Sequence, residues 1–324
     1  MAQKITSNAV KVKLIFPFLR VILPIIMDIS ENFAVREEIP RRQLRARVCG
    51  MCGGVRRALA RIDALLDAGE RVAVLHEPVH NRSVSAGLRR RGVLFAAGVE
   101  EIPSGTVLVI GAHGADPAVE AAAAKRSLRV EDATCPLVAQ LQRAAAEVPP
   151  DGELVFFGRA DHPEAVGVLG RSGTRRIHVV GSAEEVAALP ELHAPVLLVQ
   201  TTSSTADAGA VAEALRGRFP ALRCGESVCR ASRDRQRAVA ELARASEAVV
   251  VVGSPESANA NRLCLVARRE GVPAWLADGP EGLPASELEK FHTVGLSAGA
   301  STPDPLLEAV SSQLTTLGFS KASW

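Results

Sequence analysis

The sequence predicts an α/β protein with mainly parallel sheets, and two patterns support this fold class. Short runs rich in β-branched residues alternate with Ala-, Leu- and Arg-rich segments of helical period, which is typical of βαβ units. Most of the motifs that contain His, Cys or Ser follow such a run directly, where ligands bind in open α/β sheets. A chain of 324 residues, 47% of them hydrophobic, has room for two or three domains.

The first 46 residues differ in composition from the rest of the chain. They hold three of the six lysines, and their apolar stretch from Leu14 to Met27 is interrupted by Pro17, Arg20 and Pro24. That stretch is shorter than the roughly 20 residues that a membrane helix needs. We expect residues 1–46 to be an N-terminal extension that is either disordered or the result of a wrongly assigned translation start. A structured appendage and a targeting or membrane-contacting segment are the alternatives.

Six β-branched runs predict the central strands of the sheets. They are Val72–Leu75, Val107–Ile110, Leu154–Phe157, Val196–Val199, Val249–Val252 and Thr293–Leu296. After Cys52, helical spacing of apolar residues predicts a helix that ends at Gly69, with Val55, Leu59, Ile62 and Leu66 on its buried face. Pro136 and Pro163 suit the first turns of two further helices.

Three cysteines stand in separate, well-formed contexts, each near a predicted strand-to-helix turn. They are Cys52 in MCGGV, Cys135 in DATCPLV and Cys229 in ESVCRAS. Division near them gives three α/β units, residues 47–135, 136–228 and 229–324, so only the tertiary fold could bring the three thiols together. An ordinary iron–sulfur cluster has four Cys ligands, and a structural zinc ion also has four ligands. Three ligands would leave one iron open to a substrate.

The other cysteines and the overall charge limit what else the chain could do. Cys264 lies in an apolar helix face and is expected to pack as a small hydrophobe, and Cys224 is expected to be a surface or core thiol. Cys49 and Cys52 form a CxxC pattern, so a metal or redox role for Cys49 stays open. A net charge of +2 gives no case for nucleic acid or an anionic membrane as partner. Six sparse thiols fit a reducing compartment, and we expect a cytoplasmic protein.

Further motifs follow the predicted strands in a fixed order. They are HEPVHN with His80, GAHG with His113, DHPE with His162 and Glu164, QTTSS with Thr201, GSPESANANR with Ser257 and Asn259, and SAGASTPD with Ser301. Together with the three cysteine contexts, this set resembles the 4-hydroxy-3-methylbut-2-enyl diphosphate reductase family, iron–sulfur enzymes of the methylerythritol phosphate route to isoprenoids. The resemblance runs from about Arg47 to about Leu317.

The resemblance implies a trefoil of three α/β domains around a central 4Fe-4S cluster that is held by Cys52, Cys135 and Cys229. It also implies a diphosphate site, with Thr201 near the reacting end of the substrate. The implied diphosphate ligands are His80, His113, His162, Ser257, Asn259 and Ser301. A lone loop histidine is usually solvated, but a diphosphate needs several donors, and hydrogen bonds to a charged group contribute roughly 1.5 to 3 kcal/mol each.

Glu164 is the carboxylate to which the resemblance gives a catalytic role. A Glu in the first turn of a helix is commonly only a favourable partner of the helix dipole. Removal of a hydroxyl as water needs a proton, however, and a carboxyl group shielded from solvent can hold one near neutral pH. The implied reaction converts 4-hydroxy-3-methylbut-2-enyl diphosphate to isopentenyl and dimethylallyl diphosphate. The implied electron donor is a ferredoxin- or flavodoxin-type protein.

Several positions depart from the pattern of the family. Ala258 stands where a second serine is usual, Asp161 replaces a glycine, and Gln140 and Gln142 replace a Lys and a His. These changes leave the cluster ligands and the acid in place. Two alternatives therefore stay open: a diverged copy that reduces another allylic diphosphate or has an accessory role, and an α/β binding protein without a cluster.

Overall fold

The structure is a computed structural model that describes residues 39–75, 77–225 and 228–324. The prediction for the N-terminal extension falls, up to residue 38, outside the described residues. Residues 41–324 form one compact unit. Within the described ranges no helix combines the length and the apolar character that a membrane crossing requires.

The first two sheets are parallel and have the same strand order. Sheet one has the order β3-β2-β4-β5, and its strands are β2 (Val72–Leu75), β3 (Leu94–Ala96), β4 (Val107–Ile110) and β5 (Arg129–Asp132). Sheet two has the order β7-β6-β8-β9, and its strands are β6 (Leu154–Phe157), β7 (Ile177–Val180), β8 (Val196–Val199) and β9 (Arg223–Cys224). In each sheet the first strand in sequence lies between the second and the third, and the fourth lies at the edge.

The third sheet repeats this order but takes its fourth strand from the start of the folded chain. Its order is β11-β10-β12-β1-β13, and its strands are β1 (Arg42–Arg45), β10 (Ala248–Val252), β11 (Ala274–Ala277), β12 (Thr293–Ala298) and β13 (Ser320–Ala322). The sequence analysis assigned Arg42–Arg45 to the N-terminal extension. The parallel pairing of this strand with both β12 and β13 corrects that assignment. The domain limits 47–135, 136–228 and 229–324 remain a prediction.

Ten α-helices lie in the part of the chain that the structure describes. They are α1 (Gly53–Asp67), α2 (Arg82–Arg90), α3 (Pro117–Lys125), α4 (Pro136–Ala146), α5 (Pro163–Gly170), α6 (Thr205–Arg218), α7 (Arg230–Arg244), α8 (Ala258–Arg269), α9 (Ala285–Leu288) and α10 (Asp304–Thr316). The predicted end of α1 is confirmed, because Gly69 follows its last turn with φ of +76°. Such a conformation is open to glycine at little cost.

Apolar side chains cover both faces of each sheet, which gives two hydrophobic clusters per sheet. In the second sheet, for example, Val155 and Phe157 pack on one face, while Leu154 and Phe156 pack on the other. Burial on both faces explains why the central strands are continuous apolar runs. All six predicted strands are present, and the predicted α/β class is confirmed.

Candidate active site

One cavity lies at the carboxyl ends of strands from all three sheets, and every site residue predicted from the sequence lines it. These residues are Cys52, His80, His113, Cys135, His162, Glu164, Thr201, Cys229, Ser257, Asn259 and Ser301. They come from loops that are far apart in the sequence. The parallel strand order therefore brings them together, as expected for ligand sites of open α/β sheets.

Each of the three cysteines in the cavity is the N-cap residue of a helix. Cys52 precedes α1, Cys135 precedes α4 and Cys229 precedes α7. The Sγ of Cys52 accepts a hydrogen bond from the Val55 amide at 3.5 Å, and that of Cys229 accepts one from the Ser232 amide at 3.3 Å. The positive end of a helix dipole stabilises a thiolate, which is the form that binds a metal.

The three thiols share one space, and small residues keep that space open. A Cβ atom at Gly54 would lie 2.7 Å from Sγ of Cys135 and 3.9 Å from Sγ of Cys52, so only glycine leaves room for both thiols. Burial raises the pKa of Cys229, and the hydrogen bonds between Cys229 and Ser232 oppose this rise. Three thiols at one cavity, with helix N-termini behind them, are a donor set that fits an iron–sulfur cluster with three Cys ligands.

The other three cysteines lie away from this cavity. Cys264 is buried in the core of the third unit, as predicted, and Cys224 is exposed. Cys49 is partly buried against both hydrophobic clusters of the third sheet. All six cysteines are free thiols. In this structure Cys49 therefore has a packing environment, although it stands three residues before Cys52.

Three histidines form a compact group on another wall of the cavity. The ring centroids of His80 and His113 are 4.7 Å apart, and each lies 5.4 Å from that of His162. The loops can approach so closely because Gly111 has no side chain. A Cβ atom at this position would lie only 2.9 Å from the Pro78 carbonyl oxygen. Burial lowers the pKa of all three, to about 4 for His162, and repulsion from neighbouring histidines lowers the pKa of His113 and His162 further. The imidazoles are therefore neutral at pH 7.

Their spacing could suit a metal ion, but the hydrogen bonding of His162 favours an anion. One ring nitrogen from each histidine lies within 4.8 Å of the others. Nδ1 of His162, however, accepts a hydrogen bond from the Glu164 amide at 3.1 Å, so in the neutral ring Nε2 carries the proton. A metal needs a free lone pair, whereas a phosphate oxygen needs an N–H donor. Nε2 of His162 supplies such an N–H donor.

The remaining polar groups on this wall add further hydrogen-bonding capacity. Nε2 of His80 and Nδ2 of Asn259 are buried and have no partner in the described parts of the chain. Oδ1 of Asn259 accepts a hydrogen bond from the Ala300 amide, which fixes the orientation of its amide group. The hydroxyl of Ser301 donates to the carbonyl of His80 at 3.0 Å, and Ser257 caps α8. Buried polar atoms without a partner are rare in folded proteins, and a bound ligand is one way to satisfy them.

Glu164 follows His162 by two residues, lines the same cavity and is buried, with 1% of its surface exposed. Its two oxygens accept hydrogen bonds from Thr201, one from the amide at 2.6 Å and one from the hydroxyl at 2.7 Å. Burial raises the pKa of Glu164, and the two hydrogen bonds from Thr201 lower it. The net rise favours a carboxyl group that holds its proton closer to neutral pH than an exposed Glu does.

Some residues of the site were missed by the sequence analysis. Ser232 accepts a hydrogen bond from the Cys229 thiol at 3.2 Å, and Thr202 lines the cavity beside Thr201. Ser232 follows Cys229 by three residues, a spacing at which an N-cap side chain meets the helix backbone. That spacing was the available signal. Arg235 carries no such signal, because it lies among four other arginines of α7 that a sequence pattern assigns to solvent.

Known proteins are similar to this chain over most of its length. The family model described as LytB protein matches residues 44–315. The 4-hydroxy-3-methylbut-2-enyl diphosphate reductase of Xylella fastidiosa (strain M12) is 40% identical over 285 residues, which cover 85% of this chain and 90% of that protein. The enzyme of the same name from Actinobacillus pleuropneumoniae serotype 5b (strain L20) is 39% identical over 282 residues, with the same two coverages.

Solved structures agree with the sequence comparisons. The E-1-hydroxy-2-methyl-but-2-enyl-4-diphosphate reductase from Plasmodium falciparum superimposes with a TM-score of 0.82 at 26% identity, over 88% of this chain and 92% of that one. A structure of (E)-4-hydroxy-3-methyl-but-2-enyl diphosphate reductase, the terminal enzyme of the non-mevalonate pathway, has a TM-score of 0.61 at 28% identity, over 85% and 99% of the two chains. By sequence, fold and the arrangement of its cavity, the chain belongs to the LytB family of 4-hydroxy-3-methylbut-2-enyl diphosphate reductases.

Proposed function

We propose that this protein reduces 4-hydroxy-3-methylbut-2-enyl diphosphate to isopentenyl diphosphate and dimethylallyl diphosphate. The substrate takes up two electrons and two protons, its C–O bond to the hydroxyl breaks, and water leaves. The observation that carries the proposal is the meeting of three cysteines, three neutral histidines and a buried glutamic acid in a single cavity. These groups correspond to a redox centre, an anion site and a proton donor.

Cys52, Cys135 and Cys229 are the residues that would hold a 4Fe-4S cluster. When bound, such a cluster supplies electrons one at a time and offers an iron without a protein ligand. The protein positions the thiolates at three helix N-termini, where the helix dipoles offset part of their negative charge. We assign the supply of electrons to a ferredoxin- or flavodoxin-type donor. The free thiols support a location in the reducing cytoplasm.

The histidine wall would bind the diphosphate. His162 offers an N–H donor, and the unsatisfied amide of Asn259 offers another. His80, His113, Ser257 and Ser301 complete the wall. Hydrogen bonds to charged oxygens are stronger than those between neutral groups, so the negative charge can be bound without a large basic patch. This wall orients the substrate so that its other end faces the thiols.

Glu164 would deliver the proton that lets the hydroxyl leave as water. Its raised pKa keeps the proton available, and Thr201 fixes both of its oxygens. A positioned general acid of this kind typically accelerates a reaction by 10²- to 10⁴-fold. Thr201 also lines the cavity, so its hydroxyl is placed to contact the reacting end of the substrate.

Anaerobic purification followed by iron analysis tests this function. The reconstituted protein should be brown, bind close to four irons per chain and turn over the substrate with a chemical reductant. A colourless protein with less than one iron per chain after reconstitution would exclude the enzyme and favour the binding protein without a cluster.

A diverged copy is the second candidate, and Ala258 is the observation that favours it. This residue lines the cavity beside Ser257 and Asn259, and it lacks the hydroxyl that the family pattern has at this place. Selection for another allylic diphosphate would be expected to change residues of the diphosphate wall. Comparison of kcat/KM among several allylic diphosphates separates the two candidates.

A further inference from the structure

Arg235 of helix α7 is a buried arginine whose positive charge is not paired with an acid anywhere in the described ranges. Only 5% of its surface is exposed. Its Nε and Nη2 donate to the carbonyl oxygen of Gly50 at 3.1 and 2.6 Å, and Nη1 donates to that of Ala231 at 2.8 Å. A guanidinium keeps its charge in proteins, and burial of an unpaired charge is costly. An opposite charge close by would offset that cost.

Two neighbouring acids do not provide this charge. The carboxylate of Asp304 approaches Gly50, but it pairs with Arg56 at 3.6 Å and is more than half exposed. Asp234, the neighbour of Arg235 in sequence, pairs with Arg230 at 3.5 Å. Neither of these carboxylates is paired with Arg235, so neither offsets the charge of its guanidinium.

The position of the guanidinium indicates which groups could supply an opposite charge. Gly50 lies two residues before Cys52, and Ala231 lies two residues after Cys229 and lines the cavity. The side chain therefore connects the loop that carries Cys52 to the helix that carries Cys229. Three thiolates would place negative charge on the other side of these two segments.

We propose that Arg235 is a positioning residue and a counter-charge for the iron–sulfur cluster. It holds the Cys52 loop against α7, and its charge favours the reduced state, since reduction adds negative charge to a centre that is already negative. Net charge and burial are among the factors that set cluster potentials. The inference rests on the proposed function. It adds a residue that the sequence motifs did not indicate.

Redox titration of reconstituted protein tests the charge. Arg235→Gln should bind iron as the wild type does but be harder to reduce, by about tenfold in the ratio of reduced to oxidised cluster at a fixed ambient potential. Removal of one unit charge near a redox centre, at an effective dielectric constant of about 20, gives a factor of this order. For a one-electron couple, tenfold corresponds to a shift of about 59 mV toward more negative potential.

Two further variants separate charge from packing. Arg235→Lys keeps the charge and should stay within about threefold of the wild-type ratio. Gln236→Met removes a buried polar side chain of the same helix, which donates to the carbonyl of Ser203 at 2.8 Å, without a change in charge. It should leave the potential unchanged even if it lowers the melting temperature.

Alkylation of the protein without a cluster tests the positioning role. Cys52 should react several-fold faster with iodoacetamide in Arg235→Gln than in the wild type, as measured by peptide mass spectrometry, because its loop has lost an anchor. Cys264 is the internal reference. Equal rates for Cys52 would overturn the positioning role.

The titration distinguishes failure of this inference from failure of the proposed function. A wild-type potential in iron-loaded Arg235→Gln would overturn the counter-charge while leaving the enzyme assignment intact. If Arg235→Gln does not fold, Arg235→Lys is the deciding variant. A tenfold fall in its ratio of reduced to oxidised cluster would overturn the counter-charge, because lysine keeps the positive charge. A wild-type protein that binds no iron would instead remove the proposed function itself.

Discussion

Glu164 is the residue whose chemistry is most open to test. Glu164→Gln keeps the shape of the side chain but cannot donate a proton, so we expect kcat to fall by about 10²- to 10⁴-fold while iron content and substrate binding persist. The wild-type rate should fall as the pH rises through the raised pKa of Glu164, since the protonated form is the active one. Measurement of kcat against pH checks both expectations.

Thr201→Val is the matched control for this variant. It removes the hydroxyl that donates to Glu164 and keeps the donation from the backbone amide. Because that hydroxyl lowers the pKa of Glu164, the alkaline fall in rate should move to higher pH. A loss of less than tenfold in Glu164→Gln would remove Glu164 from the mechanism.

Ala258 tests the diphosphate wall. Ala258→Ser restores a hydroxyl beside Ser257 and Asn259, and one hydrogen bond to a charged oxygen contributes on the order of 1.5 to 3 kcal/mol if no water substitutes for it. KM for the standard substrate should therefore fall by roughly tenfold or more, since about 1.4 kcal/mol is a factor of ten. The cluster spectrum should not change. An unchanged KM together with negligible activity in both forms would favour the diverged copy.

His162 should make the stability of the protein depend on pH. Its folded-state pKa of about 4 lies below the ordinary value near 6.5, so the unfolded chain binds more protons between these pH values. The free energy of unfolding therefore falls as the pH falls through this window. From pH 7 to 5 the contribution of His162 is about 2 kcal/mol. His80 and His113 act in the same direction, and Glu164 acts in the opposite one.

Urea unfolding of protein without a cluster, at pH 7 and at pH 5, measures this effect. His162→Asn removes the titrating ring, and Asn is a good N-cap residue that can still accept from the Glu164 amide. The loss of stability between the two pH values should be smaller in the variant by about 2 kcal/mol. An equal loss in both proteins would mean that His162 is not neutral in the folded state.

At the scale of elements, the three cysteines that we propose as cluster ligands are helix N-caps, whereas Cys49 and Cys264 are not. Serine is also a good N-cap residue, so Cys52→Ser, Cys135→Ser and Cys229→Ser should keep the helices while losing iron and activity. Cys49→Ser and Cys264→Ser should keep iron near the wild-type level, because both side chains lie outside the cavity. Iron per chain and far-ultraviolet circular dichroism measure the two properties. A need for Cys49 but not for Cys52 would reverse the ligand assignment.

Elements were predictable from the sequence where burial is uniform. The six central strands were found because both of their faces are covered, which makes them continuous apolar runs. Strands such as β5 (Arg129–Asp132) and β9 (Arg223–Cys224) are short edge strands with exposed polar side chains, and their pattern resembles that of a loop. In α1 the start and end were right, but the buried positions include Ala58 and Leu65 where Leu59 and Leu66 were expected.

Strand β1 was missed for a different reason. Its four residues are Arg, Gln, Leu and Arg, and its buried Gln43 forms hydrogen bonds with the carbonyls of Ser311 and Phe319. A buried polar residue that is satisfied by the far end of the chain leaves no local signal. The individual site motifs were legible from the sequence. Arg235 was not, because only the fold brings it beside the Gly50 carbonyl.

At the scale of the whole molecule, the position of β1 predicts where truncation becomes harmful. Removal of residues 1–40 keeps the strand, so that protein should remain folded, bind iron and turn over substrate. Removal of residues 1–46 deletes the strand between β12 and β13 and should cause aggregation or loss of iron. Size-exclusion chromatography and iron content compare the two. Equal behaviour of the two truncations would show that the third sheet does not need β1.

Each of the three cysteines of the cavity follows a strand that has the same position in its sheet. Cys135 follows β5, Cys229 follows β9 and Cys52 follows β1, and these are the strands in the fourth position of sheets one, two and three. Each of these cysteines therefore follows the strand in the fourth position of one sheet and caps the helix that comes next in the chain. The repeat closes on itself only because β1 joins the third sheet.

This closure bears on how the protein is made in the cell. Arg42 pairs with Thr293, and its side chain bonds to a residue 251 positions later, so β1 leaves the ribosome long before its partner strands exist. Until they emerge, the thiol of Cys52 has no fixed place. Assembly of a cluster on the three cysteines would therefore have to follow translation of the third unit, because only then can β1 pair with its partner strands.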